Sequence, residues 1–403
     1  MGRKLKTDIV VAGHICLDVT PGFPKSVAGQ KIQDILKPGS LVLMDRATVS
    51  CGGPVSNTGL ALRRFGQKVL LMGKCADDAF GHLLLERLRA EAPGAERGMA
   101  VVRDDATSYT VVITPPGLDR MFLHSPGANN TFTAADVNVE LVRGARLFHF
   151  GYPPLMKRMY AGGGRELARL FRQAAETGVT TSLDLAIPDP SSAAGNADWA
   201  AILKRTLPHV DLFVPSGEEM LFMLNRKRFD ALRRKAGTGE MLNHFTAEDV
   251  SRVGAACLEY GAAVVLIKCG KLGAYLRTAD ERRLKAIGRA APRPFKSWVS
   301  RELWQSSYKV RKVVSATGSG DCAIAGFLSA YLNGEPAETA MRCCCAAGHQ
   351  NVQVPDAVSG IRTWSDTLAM IDRKPALNRL DIPMRGWRYD NKRRQHLGPA
   401  DGR

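Results

Sequence analysis

Short aliphatic runs recur along the chain: "DIVVAG" (8–13), "KVLLMG" (68–73), "RLFHFG" (146–151), "VTTSLDL" (179–185), "DLFVPS" (211–216) and "AVVLIKCG" (263–270). They are continuous rather than alternating, the pattern of strands covered on both faces. Between them, "NTGLALRRF" (57–65), "FGHLLLERLRAE" (80–91), "RELARLFRQAAETG" (165–178) and "AEDVSRVGAACLEYG" (247–261) repeat apolar residues at helical spacing. The last two end in Gly, a common helix stop. Strand–helix alternation at this rhythm predicts an α/β fold, a mostly parallel sheet sandwiched by helices in three Rossmann-type layers.

Two regions break the rhythm. Residues 99–124 alternate with period two around "DDAT" and "PPGLD", which predicts an antiparallel meander with one solvated face. Residues 19–50 lack a helical pattern and contain "SLVLMD". Together they predict one small β-sheet projecting from the body as a lid, a surface also suited to a homodimer. The segment from Arg373 to the end has weak periodicity and reads as a basic, loosely ordered tail.

One stretch carries chemistry. "SATGSGDCAIAGFLSAY" begins at Ser315, after the β-rich "YKVRKVV", and leads into an apolar helix. First-turn amides lack internal partners and the helix dipole makes that end positive, so a strand–turn–helix with Gly318 and Gly320 suits a phosphate. Asp321 would repel phosphate, and its presence makes sense if it takes a proton from a hydroxyl attacking phosphorus. The plainer alternative is a capped helix start with Asp321 near the first turn for dipole reasons. No G-x-x-x-x-G-K-[ST] occurs, and Ala323 stands where G-x-G-x-x-G needs its third Gly.

Composition narrows the class. The chain has 403 residues, 45% hydrophobic, enough for one large α/β domain or two small ones. Its nine cysteines show no C-x-x-C pair, which predicts a reducing compartment, and Cys343, Cys344 and Cys345 read as small buried hydrophobes on a helix. The basic N-terminal residues before "DIVVAG" invite a leader reading, but His14 and Asp18 interrupt the short apolar run. No stretch approaches a membrane span, and a cytoplasmic protein is expected. The net charge of +17 concentrates in residues 280–312, 225–243 and 373–403, which read as two insertions and the tail. Such segments could touch nucleic acid, yet no nucleic-acid motif accompanies them, so no specific nucleic-acid partner is expected.

Several ordered motifs together resemble the ribokinase-like (PfkB) family of carbohydrate and nucleoside kinases. "ATGSGDCAIAGFLSAYLNG" (316–334) is similar to its C-terminal signature and "CGGPVSNTGLALRRFGQKVLLMGKCADDAFG" (51–81) to its first. "AGHICLD" (12–18), "DRMFLHSPGANNTFTAADV" (119–137), "DLFVPSGEEMLFML" (211–224) and "VVLIKCGKLGAYL" (264–276) follow in the family's order. The resemblance covers about residues 8–372, which it implies are one ribokinase-like kinase domain with the β lid.

The resemblance also implies roles. Asp321 is the catalytic base, with the amides of Gly318, Ser319 and Gly320 as an anion hole. Asp18, at the end of the first strand, binds acceptor hydroxyls with Gly52, Gly53, Asn57 and Asn130. Thr317, Gly270 and Gly273 lie along the nucleotide, and Glu219 helps place Mg²⁺ through water; Lys268, where the family often has Thr, could meet phosphate charge there or simply be solvated. Two departures stand out. Ser216 replaces the Asn of the family's N-x-x-E motif, which puts its nucleotide contact in doubt. Ser315 replaces an Asp that helps bind a monovalent cation, which puts potassium activation in doubt. Asp184, closing "TTSLD", could touch substrate or metal, or cap a loop.

The implied reaction is transfer of the γ-phosphoryl of Mg·ATP to a primary hydroxyl of a sugar. Two alternatives stay open: a nucleoside acceptor, with "MFLH" (121–124) or "HFGYPP" (149–154) as a wall for the base, and a non-catalytic sugar- or nucleotide-binding regulator.

Overall fold

The computed structural model describes residues 7–118 and 120–402. The start of the leader-like segment and Asp119 of the "PPGLD" turn lie outside the described residues.

Ten strands form the main sheet, in the order Arg388–Asp390, Gln395–Leu397, Glu302–Gln305, Ala274–Thr278, Val264–Lys268, Leu212–Phe213, Thr180–Leu183, Ala145–Gly151, Thr7–Gly13 and Val69–Met72. From Val264–Lys268 to Val69–Met72 every pairing is parallel, and the four strands beyond Val264–Lys268 are added antiparallel. The continuous apolar runs have a direct cause. Successive side chains of a strand point to opposite faces, and here each face feeds its own core. Ile9 and Val11 join one core and Val10 and Ala12 the other, and Val264 and Leu266 are divided from Val265 and Ile267 in the same way. A polar residue on either side would be buried without water.

The predicted helices form as Pro54–Arg64, Ala79–Glu91, Lys157–Glu176 and Ala247–Glu259. Lys157–Glu176 is interrupted at Gly162, Gly163 and Gly164, with φ of 58°, 69° and 70°, so its uninterrupted part begins at Arg165. The cysteine triple lies on the helix Ala337–Asn351, and all nine cysteines are buried free thiols. No helix among the described residues is long and apolar enough to cross a membrane.

The lid is a four-stranded sheet in the order Asp45–Gly52, Cys16–Gly22, Tyr109–Ile113 and Met121–Ser125. It differs from the expected meander in two respects. Ala100–Val102 pairs in parallel with Lys74–Ala76 in a separate ribbon, and Cys16–Gly22 runs parallel to Tyr109–Ile113. "SLVLMD" is no strand: Leu41 and Leu43 are exposed, and pairing starts only at Asp45. The "YKVRKVV" run also fails as a strand. Its one pairing is a bridge from Tyr308 to Leu377, and Val313 and Val314 lie open to solvent.

The expectation of a loose tail is overturned. Gln395–Leu397 pairs with Glu302–Gln305, and Gln395 and Leu397 are buried. Beyond them Asp401 meets the Nε of Arg301 at 2.7 Å, with both side chains 1% exposed, and Glu338 accepts from Nη1 of the same guanidinium at 2.8 Å. Residues 280–312 likewise are no inserted loop, since all four residues of Glu302–Gln305 are buried in the sheet. Removing one partner of a buried ion pair leaves the other charge without solvent, at a cost of about 3–5 kcal/mol. Glu338 still pairs Arg301 when Asp401 is removed, so Asp401→Ala, which strands the buried Nε donor, is expected to lower the unfolding free energy in urea by about 1–3 kcal/mol. An unchanged denaturation midpoint would mean that the tail does not seal Arg301.

Candidate active site

The parallel strands deliver their carboxyl ends to one edge, where ligands bind in open α/β sheets. Tyr152 follows Gly151, Asp184 follows Leu183, and Ser216 forms a parallel bridge to Lys268. A cleft of about 520 Å³ opens there. It is lined by polar groups of Asp184, Glu219, Lys268, Ser319 and Gly320 and by apolar groups including Leu242, Ala323 and Val352.

Asp321 lies in the first turn of the helix Ser319–Leu332 and is 2% exposed. Asn57 Nδ2 donates to its Oδ2 at 2.9 Å, Thr58 Oγ1 donates to its Oδ1 at 3.3 Å, and Tyr152 Oη reaches both oxygens at 2.9 and 3.0 Å. Burial raises its pKa, while the Asn57 and Tyr152 hydrogen bonds and the Lys268 charge oppose the rise. Burial, then the Asp321 charge, holds the Tyr152 phenol far above its usual range, so it stays a donor.

Asn57 and Thr58 reach Asp321 because the helix Pro54–Arg64 begins beside it. Gly53 caps that helix at φ 86°, and a Cβ there would stand 2.6 Å from His14 O. Gly318 plays the same part for the second helix, with φ 70° and a Cβ position 2.7 Å from Ala357 O. Among the described residues, the amides of Gly318, Gly320 and Asp321 make no backbone hydrogen bond outside their helix, whereas the Ser319 N–H donates to Ala316 O at 3.2 Å. The three-amide hole expected at 318–320 thus has its Ser319 donor engaged in the turn. Thr317 faces the same turn, its N–H donating to Ser315 Oγ at 3.1 Å.

Asp18 does not end the first strand, which closes at Gly13. It stands inside Cys16–Gly22, on the lid. It still belongs to the site, since a Cβ on Gly52 would lie 2.3 Å from Asp18 Oδ2, and Gly52 leads through Gly53 into the helix that carries Asn57. Burial raises the Asp18 pKa against donors from Cys16 and Thr110. Asn130 turns elsewhere: its Oδ1 accepts from the Lys157 N–H at 3.1 Å. Its neighbour Asn129 is fully buried and clamps Ile15, accepting from its N–H at 3.2 Å and donating to its carbonyl at 2.9 Å.

On the cleft's polar side, Ser216 and Glu219 form a reciprocal capping box on the helix Gly217–Leu224. Ser216 is thus occupied in holding Glu219. Lys268 Nζ donates to Asp184 Oδ1 and Val214 O, both at 2.6 Å. Burial, with Glu219 and Asp321 nearby, pushes Asp184 up, and the same three carboxylates keep Lys268 charged despite burial. Asp184, Glu219 and Asp321 gather carboxyl oxygens around Lys268, a donor set that fits a hard divalent cation. Gly270 and Gly273, at φ 50° and 96°, shape the loop beyond Lys268 on the same cleft.

Thr58 and Tyr152 were missed in the sequence. Thr58 adjoins Asn57 in a helix start that was singled out, and Tyr152 sits in "HFGYPP", where an aromatic reads as a wall rather than a donor.

A model of the pfkB family of carbohydrate kinases matches residues 6–364. The chain belongs to this family. It is 31% identical to fructokinase-2 of Solanum lycopersicum over 145 residues, which are 36% of this chain and 40% of that one. The match thus spans less than half of that relative's length. Over 281 residues, 69% of this chain and 89% of the relative, it is 25% identical to an uncharacterized sugar kinase of Archaeoglobus fulgidus. The fold is similar to that of Arabidopsis thaliana ribokinase solved with ribose and ATP, with a TM-score of 0.64 and 19% identity over 91% of this chain and 98% of that one.

The two glycines of the Asp321 turn are expected to respond differently to a methyl group. Gly318→Ala meets Ala357 in a left-handed backbone, a conformation that alone costs about 1–3 kcal/mol in a residue with a Cβ. Gly320→Ala finds only the Lys268 side chain, at ordinary contact distances of 3.6 and 3.9 Å to its Cε and Cδ. Chemical denaturation of both variants checks this, and equal losses would contradict the packing of the turn.

Proposed function

We propose that this family member transfers the γ-phosphoryl group of ATP to a primary hydroxyl of a sugar. The observation that carries the reading is the buried Asp321 carboxylate, held by Asn57, Thr58 and Tyr152 at a helix mouth that opens on the cleft. Asp321 accepts the proton of the attacking hydroxyl, and its raised pKa makes it a better base than a solvated carboxylate. Gly318 and Gly320 supply amides for the charge developing on the phosphoryl oxygens, and Lys268 adds its ammonium from the cleft floor. The apolar wall at Leu242, Ala323 and Val352 suits the adenine. Asp18 accepts hydrogen bonds from acceptor hydroxyls, and Asn57 Oδ1, buried without a partner among the described residues, is a further acceptor for them. Mg²⁺, held by Glu219 through water and by Asp184, would neutralise charge on the transferred phosphate. The lid closes over the acceptor and excludes water that would otherwise take the phosphoryl group.

A nucleoside acceptor is the second reading. It is favoured by the rings of His124 and Tyr152, whose centroids lie 5.2 and 6.2 Å from that of His14. ADP release over a panel of sugars and nucleosides with ATP and Mg²⁺ decides between them. A panel with no acceptor-dependent turnover would leave a non-catalytic binder. Asp321→Asn is expected to lower kcat by roughly 10²–10⁴-fold.

Tyr152→Phe removes a hydrogen bond that favours the charged form of Asp321, so the pKa of Asp321 rises further. The base must be ionised to act, so the acid limb of the kcat/KM profile should move to higher pH. A limb that stays in place, or moves down, would show that Tyr152 does not act on the base.

A further inference from the structure

Where the first strand gives way to the lid, three side chains outside the phosphoryl-transfer machinery come together. His14 follows the end of Thr7–Gly13, Cys16 opens the lid strand Cys16–Gly22, and His124 lies on the lid strand Met121–Ser125. One ligand atom from each lies within 4.8 Å of the others. The lid register explains the convergence. Asp18 pairs with Thr110 and Thr110 with His124, and Cys16 lies two residues before Asp18, so period two sets all four on one face.

We propose that His14, Cys16 and His124 bind a borderline-soft divalent cation, Zn²⁺ by preference, across the joint between the main sheet and the lid. The two Nε2 atoms stand 3.4 Å apart. A tetrahedral Zn²⁺ with Zn–N of about 2.0–2.1 Å needs its nitrogens about 3.3–3.4 Å apart, so the histidines already stand at a ligand pair's spacing. The sulfur, with Zn–S of about 2.3 Å, belongs about 3.6 Å from each nitrogen, within reach of a change in the Cys16 rotamer. Thr110 Oγ1 lies 3.0 Å from His124 Nδ1 and 3.6 Å from Cys16 Sγ. It thereby fixes the outer nitrogen of one ligand, as partners of metal-bound histidines do. His14 Nδ1 is buried with no hydrogen-bond partner among the described residues, so no contact made through that nitrogen needs to be broken for Nε2 to ligate. Asp18 Oδ1, 3.3 Å from Cys16 Sγ, is the nearest carboxylate to complete the tetrahedron. Binding breaks the S–H bond of Cys16, forms the metal–sulfur bond and releases the proton to solvent.

An ion that engages Asp18 withholds it from an acceptor, so Zn²⁺ should inhibit in competition with the sugar. This consequence, unlike the binding, rests on the kinase reading.

Co²⁺ reports the site without any turnover. Titrated into the reduced full chain in the absence of nucleotide, one equivalent should give the intense visible bands of tetrahedral Co²⁺ and a near-ultraviolet thiolate-to-cobalt band, both lost when Zn²⁺ is added. Cys16→Ser should abolish the thiolate band, and His124→Ala, on an exposed lid position, should abolish the tetrahedral spectrum. Thr110→Val should weaken Zn²⁺ binding about 10–100-fold. Weak octahedral Co²⁺ bands only, or a thiolate band that survives in Cys16→Ser, would overturn the site, and circular dichroism of each variant separates ligand loss from misfolding. If the site binds and the acceptor KM is unchanged at a buffered Zn²⁺ concentration, the competitive inhibition is refuted.

Discussion

The structure turns on keeping one carboxylate out of water. A buried, unpaired Asp321 would take up a proton and lose its charge. Here it faces three neutral donors, drawn from two separate parts of the fold. Asn57 and Thr58 come from the first turn of one helix, Tyr152 from the end of a parallel strand, and Asp321 itself from the first turn of a second helix. The donors are 169 to 264 positions from Asp321 in the chain. They meet only when the sheet is assembled and both helices lie on it. The setting of Asp321 and completion of the fold are therefore one constraint.

The two glycine caps belong to that constraint. Gly53 and Gly318 both adopt left-handed backbone where another chain segment presses within 3 Å of where a Cβ would be. Close approach brings the helix mouths to the same edge as Asp184 and Lys268. A side chain at either cap would push one helix outward and separate Asp321 from its donors. The clustering of Asp184, Glu219 and Asp321 around Lys268 follows the same logic, since strand ends and helix mouths meet where the cleft opens.

Much of this was legible in the sequence. The strands could be read because two cores, one on each face, favour apolar residues at most positions of each strand. Gly318, Gly320 and Asp321 could be read because few structural needs place two glycines and an acid at a helix mouth. What could not be read is long-range. Asp18 looked like the end of a strand, because the break between Gly13 and Cys16 is a change of sheet rather than of hydrophobicity. Tyr152 looked like wall, because its donor role exists only once Asp321 is beside it. The tail looked loose because its fixed points, Gln395 and Asp401, bind partners about a hundred residues away, beyond any local periodicity.

The same long-range pairing changes the meaning of the basic charge. A surplus of +17 suggests a polyanion-binding face, and all three segments that hold it are rich in Arg. Several of those arginines are spent inside the molecule. Arg228 grips Asp249 at 2.8 Å, Arg283 reaches Asp211 at 3.1 Å, Arg301 is sealed between Glu338 and Asp401, and Arg393 pairs with Asp390. Guanidinium groups suit such work because their fork satisfies a carboxylate and still keeps donors for backbone carbonyls, as Arg283 does at Val210 and Gly261. The basic segments thus tie different parts of the fold together: Arg228 joins two helices, Arg283 reaches the start of a parallel strand, and Arg301 and Arg393 secure the antiparallel edge. Part of the charge that looked like a surface for a partner is therefore internal pairing that joins segments distant in the sequence.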